Sequence, residues 1–157
     1  MGLRKILTDK EPALHKVCKP VVKFDEKLHK LLDDMVETLR DANGVGLAAP
    51  QIGIIRRVVI VDTGDDEMLE LVNPTLLETS VEQCGPEGCL SVPGRYGLVK
   101  RPYYAKVRAQ DRYGNWFEAE GEEIIARCFC HELDHLDGIM YTEVMERFLT
   151  EEELEGD

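Results

Sequence analysis

Two histidines four residues apart carry the clearest chemical signal in the sequence, within His131-Glu132-Leu133-Asp134-His135. On a helix, side chains four residues apart point in nearly the same direction, so both imidazoles can bind one metal ion. Glu132 follows the first histidine directly, where its carboxylate can take a proton from an activated water molecule. The segment therefore predicts a metal-dependent hydrolytic site, although a solvated stretch of an amphipathic helix can show the same residues.

A catalytic metal usually takes three protein ligands, and the third has to be sought elsewhere in the chain. A long metalloprotease pattern would place a histidine six residues after His135, but Tyr141 occupies that position. An acidic ligand further downstream would fall among the charged residues at the end of the chain. The remaining source is upstream, where Cys89 lies in Glu87-Gly88-Cys89-Leu90-Ser91 and would complete a Cys-His-His site with one open position.

Five cysteines occur at positions 18, 84, 89, 128 and 130, an odd number with irregular spacing. This pattern is a poor disulfide framework, which favours a reducing compartment and free or metal-bound thiols. A structural site made of four thiolates is a second possibility that would leave the histidines idle. Its ligands would be Cys84, Cys89, Cys128 and Cys130. The spacing of these cysteines lacks the close pairs of common zinc ribbons.

The order of the predicted helices and strands indicates an α+β fold. In this fold, antiparallel strands pack around a central metal-binding helix, and an amphipathic helix lies near the N-terminus. Apolar residues recur at helical spacing over residues 25–40, with Asp25 as N-cap and Asn43-Gly44 as the stop. Helical spacing returns over residues 122–137 and carries the histidine pair. Strand-forming residues predict strands at 57–62, 68–72, 75–82, 104–111 and 116–120, the last two joined by a hairpin turn.

One apolar segment has no regular period, Gly44-Val45-Gly46-Leu47-Ala48-Ala49-Pro50-Gln51-Ile52-Gly53. Its three glycines and its proline predict an irregular extended backbone that comes close to another group.

Composition and charge exclude several classes of protein. The 157 residues are 43% hydrophobic and 32% charged, which predicts one globular domain over residues 1–157. The sequence contains no apolar run suited to a membrane span or a signal peptide, so we expect a cytoplasmic protein without membrane contact. The net charge of −12 disfavours direct nucleic-acid binding, and half of it lies in residues 143–157, including a short acidic tail from about residue 148. Residues 95–112 are locally basic, and the simplest interpretation is that these side chains lie on a solvent-exposed face of a strand.

Three separated segments resemble the motifs of bacterial peptide deformylases, in that family's order and at roughly its spacing. They are the glycine-containing segment 44–51, the segment 87–91 around Cys89, and the histidine segment 131–138. Residues 11–21 are similar as well, so the resemblance covers about residues 3–145. Members of this family remove the formyl group from the N-terminal formylmethionine of new polypeptides and release formate. The implied partners are formyl-methionyl nascent chains, with transient proximity to the ribosome.

The resemblance implies one divalent metal ion bound by Cys89, His131 and His135. In the family this ion is usually Fe(II), and Zn or Ni often replaces it in preparations. Thiolate and imidazole accept all three metals, so the ligands alone do not choose among them. Glu132 would be the general base for attack of water on the formyl carbon and would finally protonate the departing amine.

The resemblance also implies six residues around the substrate. Gln51, through its side-chain amide, and Leu90, through its backbone N–H, would stabilise the oxyanion. The remaining four would contact the substrate as backbone partners or as part of the methionine pocket: Val45, Gly46, Ile124 and Cys128.

The sequence departs from the family pattern at two positions. Cys130 precedes the first histidine ligand where the family normally has glutamine, which affects polar support of the site. Tyr96 stands where many relatives have arginine, which affects binding of residues beyond methionine. The alternatives to an active deformylase are a metalloprotease that cleaves peptide bonds and a deformylase homologue with impaired catalysis.

Overall fold

The computed structural model describes residues 2–64 and 68–155, so the last two residues of the predicted acidic tail lie outside it. Helix α1, Glu26–Ala42, begins after Asp25, whose carboxylate accepts a hydrogen bond from the Leu28 N–H at 3.2 Å. It ends at Asn43, which adopts the left-handed conformation. Both ends were predicted correctly because capping depends on local side chains.

Within the described residues, one antiparallel sheet of six strands follows chain order from β1 to β5. The strands are β1 Gly46–Ala48, β2 Val58–Asp62, β3 Met68–Cys89, β4 Val92–Gln110, β5 Trp116–Glu122 and β6 Arg147–Phe148. Strand β6 pairs with β4 outside that order. The α+β class with antiparallel strands is confirmed.

Strands β3 and β4 form a hairpin much longer than the sequence predicted. The prediction divided β3 into two strands ending at residue 82 and began its partner at 104, whereas the two strands meet at the turn Leu90-Ser91. Residues 83–103 contain glycine and proline and lack regular alternation, but antiparallel pairing between the two backbones continues there, from Gln83 opposite Arg101 to Glu87 opposite Gly97. This extension brings Cys89 to the end of β3.

The glycine-containing segment is more regular than predicted. Its residues Gly46–Ala48 form β1, which pairs with β2, and Ala49–Ile52 form a single 3₁₀ turn. Because β1 pairs only with β2 in the sheet, its other edge is free of strand pairing within the described chain.

Helix α2, Ile124–Leu136, packs against all five strands β1–β5. Alternation along β2 separates two hydrophobic cores, since neighbouring residues of a strand face opposite sides. Val59 and Val61 pack in the core with α2, whereas Val58 and Ile60 pack in the core with α1. Helix α2 begins two residues later than predicted because Glu122 still belongs to β5.

The chain after α2 forms short elements beside β4. They are helix α3, Tyr141–Val144, the strand β6, and helix α4, Glu151–Glu155. The Leu149 N–H donates a hydrogen bond to the Tyr96 carbonyl at 2.8 Å, which attaches this segment to the edge of β4. Among the described residues, no helix has the length and apolar character needed to cross a membrane.

Glu123, just before α2, has a backbone conformation that favours glycine, with φ 54° and ψ −118°. Its N–H donates to the Tyr103 carbonyl and its carbonyl accepts from Gln83 Nε2, both at 2.8 Å, so the surrounding structure holds this conformation. We expect Glu123→Gly to raise the free energy of unfolding by about 1 kcal/mol, because glycine adopts this conformation without strain.

Urea denaturation measures this effect, with Glu122→Gly as the matched control in β5. The control should lower stability, because Glu122 ends β5 and is not among the residues with positive φ, so glycine there costs backbone entropy without relieving strain. A destabilised Glu123→Gly would show that the backbone strain is negligible.

Candidate metal centre and substrate cleft

Three potential metal-binding atoms converge between the end of β3 and the middle of α2. They belong to Cys89, His131 and His135 and all lie within 4.8 Å of one another. The two Nε2 atoms are 3.2 Å apart, and the Cys89 Sγ lies 3.4 Å from the His135 Nε2. Among the described residues this is the one such group of three, and Cys84, the exposed cysteine of the four-thiolate alternative, is not part of it.

The chemistry of this donor set fits a divalent transition metal. One thiolate and two imidazoles are ligands for Fe, Zn or Ni, and three protein donors leave a position open. Burial and the neighbouring His131 lower the pKa of His135 well below its usual value. This favours the neutral His135 imidazole, which is the form that binds a metal. At His131, burial is outweighed by Glu132, Cys89 and Glu87, which raise its pKa well above the usual value.

A buried carboxylate fixes the orientation of His131. Glu87 is 4% exposed, and its Oε2 lies 2.6 Å from the His131 Nδ1. Arg101 donates to both Glu87 oxygens, at 3.0 and 2.7 Å, and Arg127 donates to Oε1 at 2.9 Å. Burial disfavours the carboxylate, but the bonds from His131 and Arg101 outweigh it and lower the pKa of Glu87 to about 2. Glu87 therefore accepts the Nδ1 proton and leaves the His131 Nε2 directed at Cys89 and His135.

Glu132 has the surroundings of a general base. It is 3% exposed, and its Oε1 is a buried oxygen without a hydrogen-bond partner within the described chain. Burial, reinforced by Glu87, raises the pKa of Glu132 to about 7. A carboxyl group with a pKa near neutrality can accept and return a proton within one reaction cycle.

Gln51 directs its amide N–H groups towards the metal-binding atoms. Its Oε1 accepts a hydrogen bond from the Ala48 N–H at 2.9 Å, which fixes the orientation of the amide. Its Nε2 consequently lies 3.6 Å from Cys89 Sγ and 3.1 Å from Ser91 Oγ. Gln51 is 1% exposed, so these contacts are shielded from solvent.

A cleft of about 490 Å³ opens beside these groups. Nine of the ten residues singled out from the sequence line it: Val45, Gly46, Gln51, Cys89, Leu90, Ile124, Cys128, His131 and Glu132. The tenth, His135, is fully buried behind the cleft wall. The structure thus brings the three separated sequence motifs to one place.

Gly46 lies so close to α2 that only glycine fits. A Cβ atom at this position would be 2.5 Å from the Cys128 Sγ and 2.7 Å from the Glu132 Oε2. The close backbone approach predicted from the glycines is therefore the approach of β1 to the helix that carries Glu132.

Three other positions noted in the sequence have different surroundings. Cys130 and Tyr96 depart from the family pattern, and Tyr141 stands where the long metalloprotease pattern has histidine. Cys130 is 8% exposed within the core around α2, and burial raises the pKa of its thiol to about 11, so it packs as an apolar side chain. Tyr96 lines the cleft, with its ring against Gly88. Tyr141 is fully buried and stacks on His131, with ring centroids 6.1 Å apart. Its hydroxyl lies 3.3 Å from the Arg95 carbonyl.

Sequence reasoning missed the polar groups behind His131. Glu87 belongs to the motif around Cys89, but no role was predicted for it. Side chains two residues apart on a strand face the same side, so its spacing from Cys89 could have indicated one. Arg127 lies four residues before His131 on α2, a spacing that also signals proximity. Arg101 had no local signal, because only the β3–β4 pairing brings it to Glu87.

Comparisons with known proteins agree with this geometry. The family model described as polypeptide deformylase matches residues 3–150. A peptide deformylase of Agathobacter rectalis is 51% identical over 146 residues, covering 93% of this chain and 92% of that protein. Peptide deformylase 1 of Bacillus anthracis is 50% identical over 156 residues, covering 99% of this chain and all of that protein.

Solved structures show the same similarity. A peptide deformylase from Legionella pneumophila superposes with a TM-score of 0.89 at 43% identity, covering 92% of this chain and 86% of the other. The enzyme from Thermotoga maritima superposes with a TM-score of 0.88 at 39% identity, covering 92% of this chain and 98% of the other.

Proposed function

Since the chain belongs to the polypeptide deformylase family, we propose that Cys89, His131 and His135 hold the metal ion on which its activity depends. That activity is the hydrolytic removal of the formyl group from the N-terminal methionine of new polypeptides. The convergence of one thiolate and two imidazoles within 4.8 Å, beside Glu132 and Gln51, carries the proposal.

When bound, the metal supplies Lewis-acid activation of water and of the formyl carbonyl. We propose Fe(II) as the ion in the cell, as the resemblance to the family implies. Zn or Ni can take its place in preparations, because thiolate and imidazole ligands bind all three metals. We propose that α2, which carries the two histidines, is the central helix of the fold, because strands β1–β5 all pack on it. The amphipathic helix α1 packs on the other face of β2.

Glu132 is the proposed proton carrier. It takes a proton from water as the water oxygen bonds to the formyl carbon, and it gives the proton to the amine nitrogen as the carbon–nitrogen bond breaks. Formate and a free N-terminal amine are the products. The Gln51 amide and the Leu90 backbone N–H are the proposed donors to the oxyanion, where loss of one donor typically lowers the rate by about 10²–10³.

The substrate backbone is proposed to lie along the free edge of β1 as an added strand. The Val45 carbonyl already accepts a hydrogen bond from the Asp62 N–H at 2.7 Å, so the Gly46 backbone is the one directed to the free edge. The Val45 carbonyl is therefore not available for the backbone role expected from the sequence. We propose that Val45, a residue 39% exposed, contributes its side chain instead. Ile124 and Cys128 are the proposed walls of the methionine pocket.

We further propose that residues 1–157 act as one catalytic domain in the cytoplasm, where nascent chains leave the ribosome. The basic segment 95–112 does not argue for direct binding of nucleic acid, because several of its side chains are paired with carboxylates of this chain. Arg101 pairs with Glu87, Lys106 with Glu118, and Arg112 with Glu70.

Formate release tests the function directly. The anaerobically purified protein, loaded with Fe(II), Ni or Zn, is incubated with formyl-Met-Ala-Ser and, separately, with an N-blocked internal peptide. We expect formate from the first peptide and no new amines from the second. Cleavage of the second peptide without formate release would favour the metalloprotease, and no reaction with any metal would favour an impaired homologue.

Cysteine variants test the ligand set. We expect Cys89→Ala to lose the bound metal, because Sγ is one of only three donors at the centre. Cys84→Ala is the matched control, since Cys84 is exposed on the same strand, and it should bind one metal per chain. Metal analysis after gel filtration measures both. Loss of metal from Cys84→Ala would favour the four-thiolate alternative.

A further inference from the structure

Arg127 lies between the substrate cleft and the metal centre. It is one helical turn before His131 on α2, and it lines the cleft with Ile124 and Cys128. Its side chain is only 10% exposed, which is unusual for an arginine beside an open cleft.

The hydrogen bonds of Arg127 lead directly to a metal ligand. Its Nη1 donates to the Glu87 Oε1 at 2.9 Å and to the Val99 carbonyl at 3.1 Å. The other oxygen of Glu87 lies 2.6 Å from the His131 Nδ1. One carboxylate therefore separates the cleft-lining arginine from the imidazole that faces Cys89 and His135.

The charges around Glu87 indicate why a second arginine is present. Arg101 bonds both Glu87 and Asp134, so its single positive charge faces two carboxylates. Arg127 supplies a second positive charge, so that two arginines face these two carboxylates. Without Arg127, the carboxylate would keep its bonds from Arg101 but would be held less firmly in the position that orients His131.

Building on the proposed function, we propose that Arg127 is a positioning residue that ties the side-chain pocket to His131 through Glu87. The same arginine then sets how tightly the metal is held. It acts through the hydrogen bond to Glu87.

Metal affinity tests this effect without relying on turnover. Competition with a chromogenic chelator for Zn is measured on metal-loaded wild type, Arg127→Gln and Arg127→Lys. We expect Arg127→Gln to weaken Zn binding about tenfold, the scale found when support behind a histidine ligand is removed. Arg127→Lys keeps the positive charge and should bind Zn more tightly than Arg127→Gln.

Arg95→Gln is the matched control for charge at the cleft. Arg95 also lines the cleft, but its guanidinium lies 3.5 Å from the centre of the Phe148 ring and belongs to β4 rather than α2. Its Zn affinity should equal that of wild type. Wild-type affinity in Arg127→Gln, or an equal loss in Arg95→Gln, would overturn the proposed tie to His131.

Absence of formate release by wild type would refute the proposed function instead, and chelator competition would still decide whether Arg127 acts on His131.

Discussion

Glu132→Gln is expected to keep its metal and to lose turnover by a factor of about 10²–10⁴. Glutamine has the shape of glutamate but cannot accept the proton from water, and the three proposed ligand atoms belong to other residues. The variant should therefore contain one metal per chain while its kcat for formate release collapses. Metal analysis and a formate assay on the same sample measure the two quantities.

The control for Glu132 is Asp137→Asn, at the C-terminal end of α2. The Asp137 side chain is 56% exposed and lies 3.4 Å from Arg57, outside the cleft. This variant should release formate at the wild-type rate. Activity of Glu132→Gln within a factor of a few of wild type would remove Glu132 from its proposed role.

Glu87→Gln is expected to lower the free energy of unfolding by about 3–5 kcal/mol, although Glu87 lies outside the proposed reaction chemistry. Neutralising this carboxylate leaves Arg101 and Arg127 buried with Asp134 as the remaining close carboxylate partner. Urea denaturation in the presence of excess chelator measures the loss separately from metal binding. Metal affinity should fall as well, by about 10- to 100-fold, because His131 loses the group that orients it.

Glu70→Gln is the matched control for Glu87. Glu70 also receives two hydrogen bonds from one arginine, Arg112, at 2.9 and 2.6 Å, but its side chain is 21% exposed. Water can replace those bonds, so the loss of stability should be about 1 kcal/mol or less. Equal losses of unfolding free energy in the two variants would show that burial of Glu87 with its two arginines adds nothing to stability.

Local patterns predicted the parts of this fold that depend on neighbouring residues. Helix α1 was placed with both caps, because Asp25 and Asn43 act on backbone groups within a turn of themselves. The second half of β4 was found from its alternation, whereas the first half was missed. That half, and the extension of β3 to Cys89, exist because the two backbones pair with each other, and side-chain type gives little sign of such pairing.

The candidate site likewise has a part that follows from local sequence patterns and a part that depends on tertiary contacts. By itself the sequence determined which chemistry was available: two histidines on one helical face with a glutamate beside the first, and a separate cysteine as a candidate third ligand. Only the tertiary structure decided that β3 delivers Cys89 to those histidines, and that Arg101 and Arg127 surround Glu87 behind His131. Helical spacing is a local property of the chain, whereas convergence of residues about forty positions apart requires the packing of β1, β3 and β4 around α2.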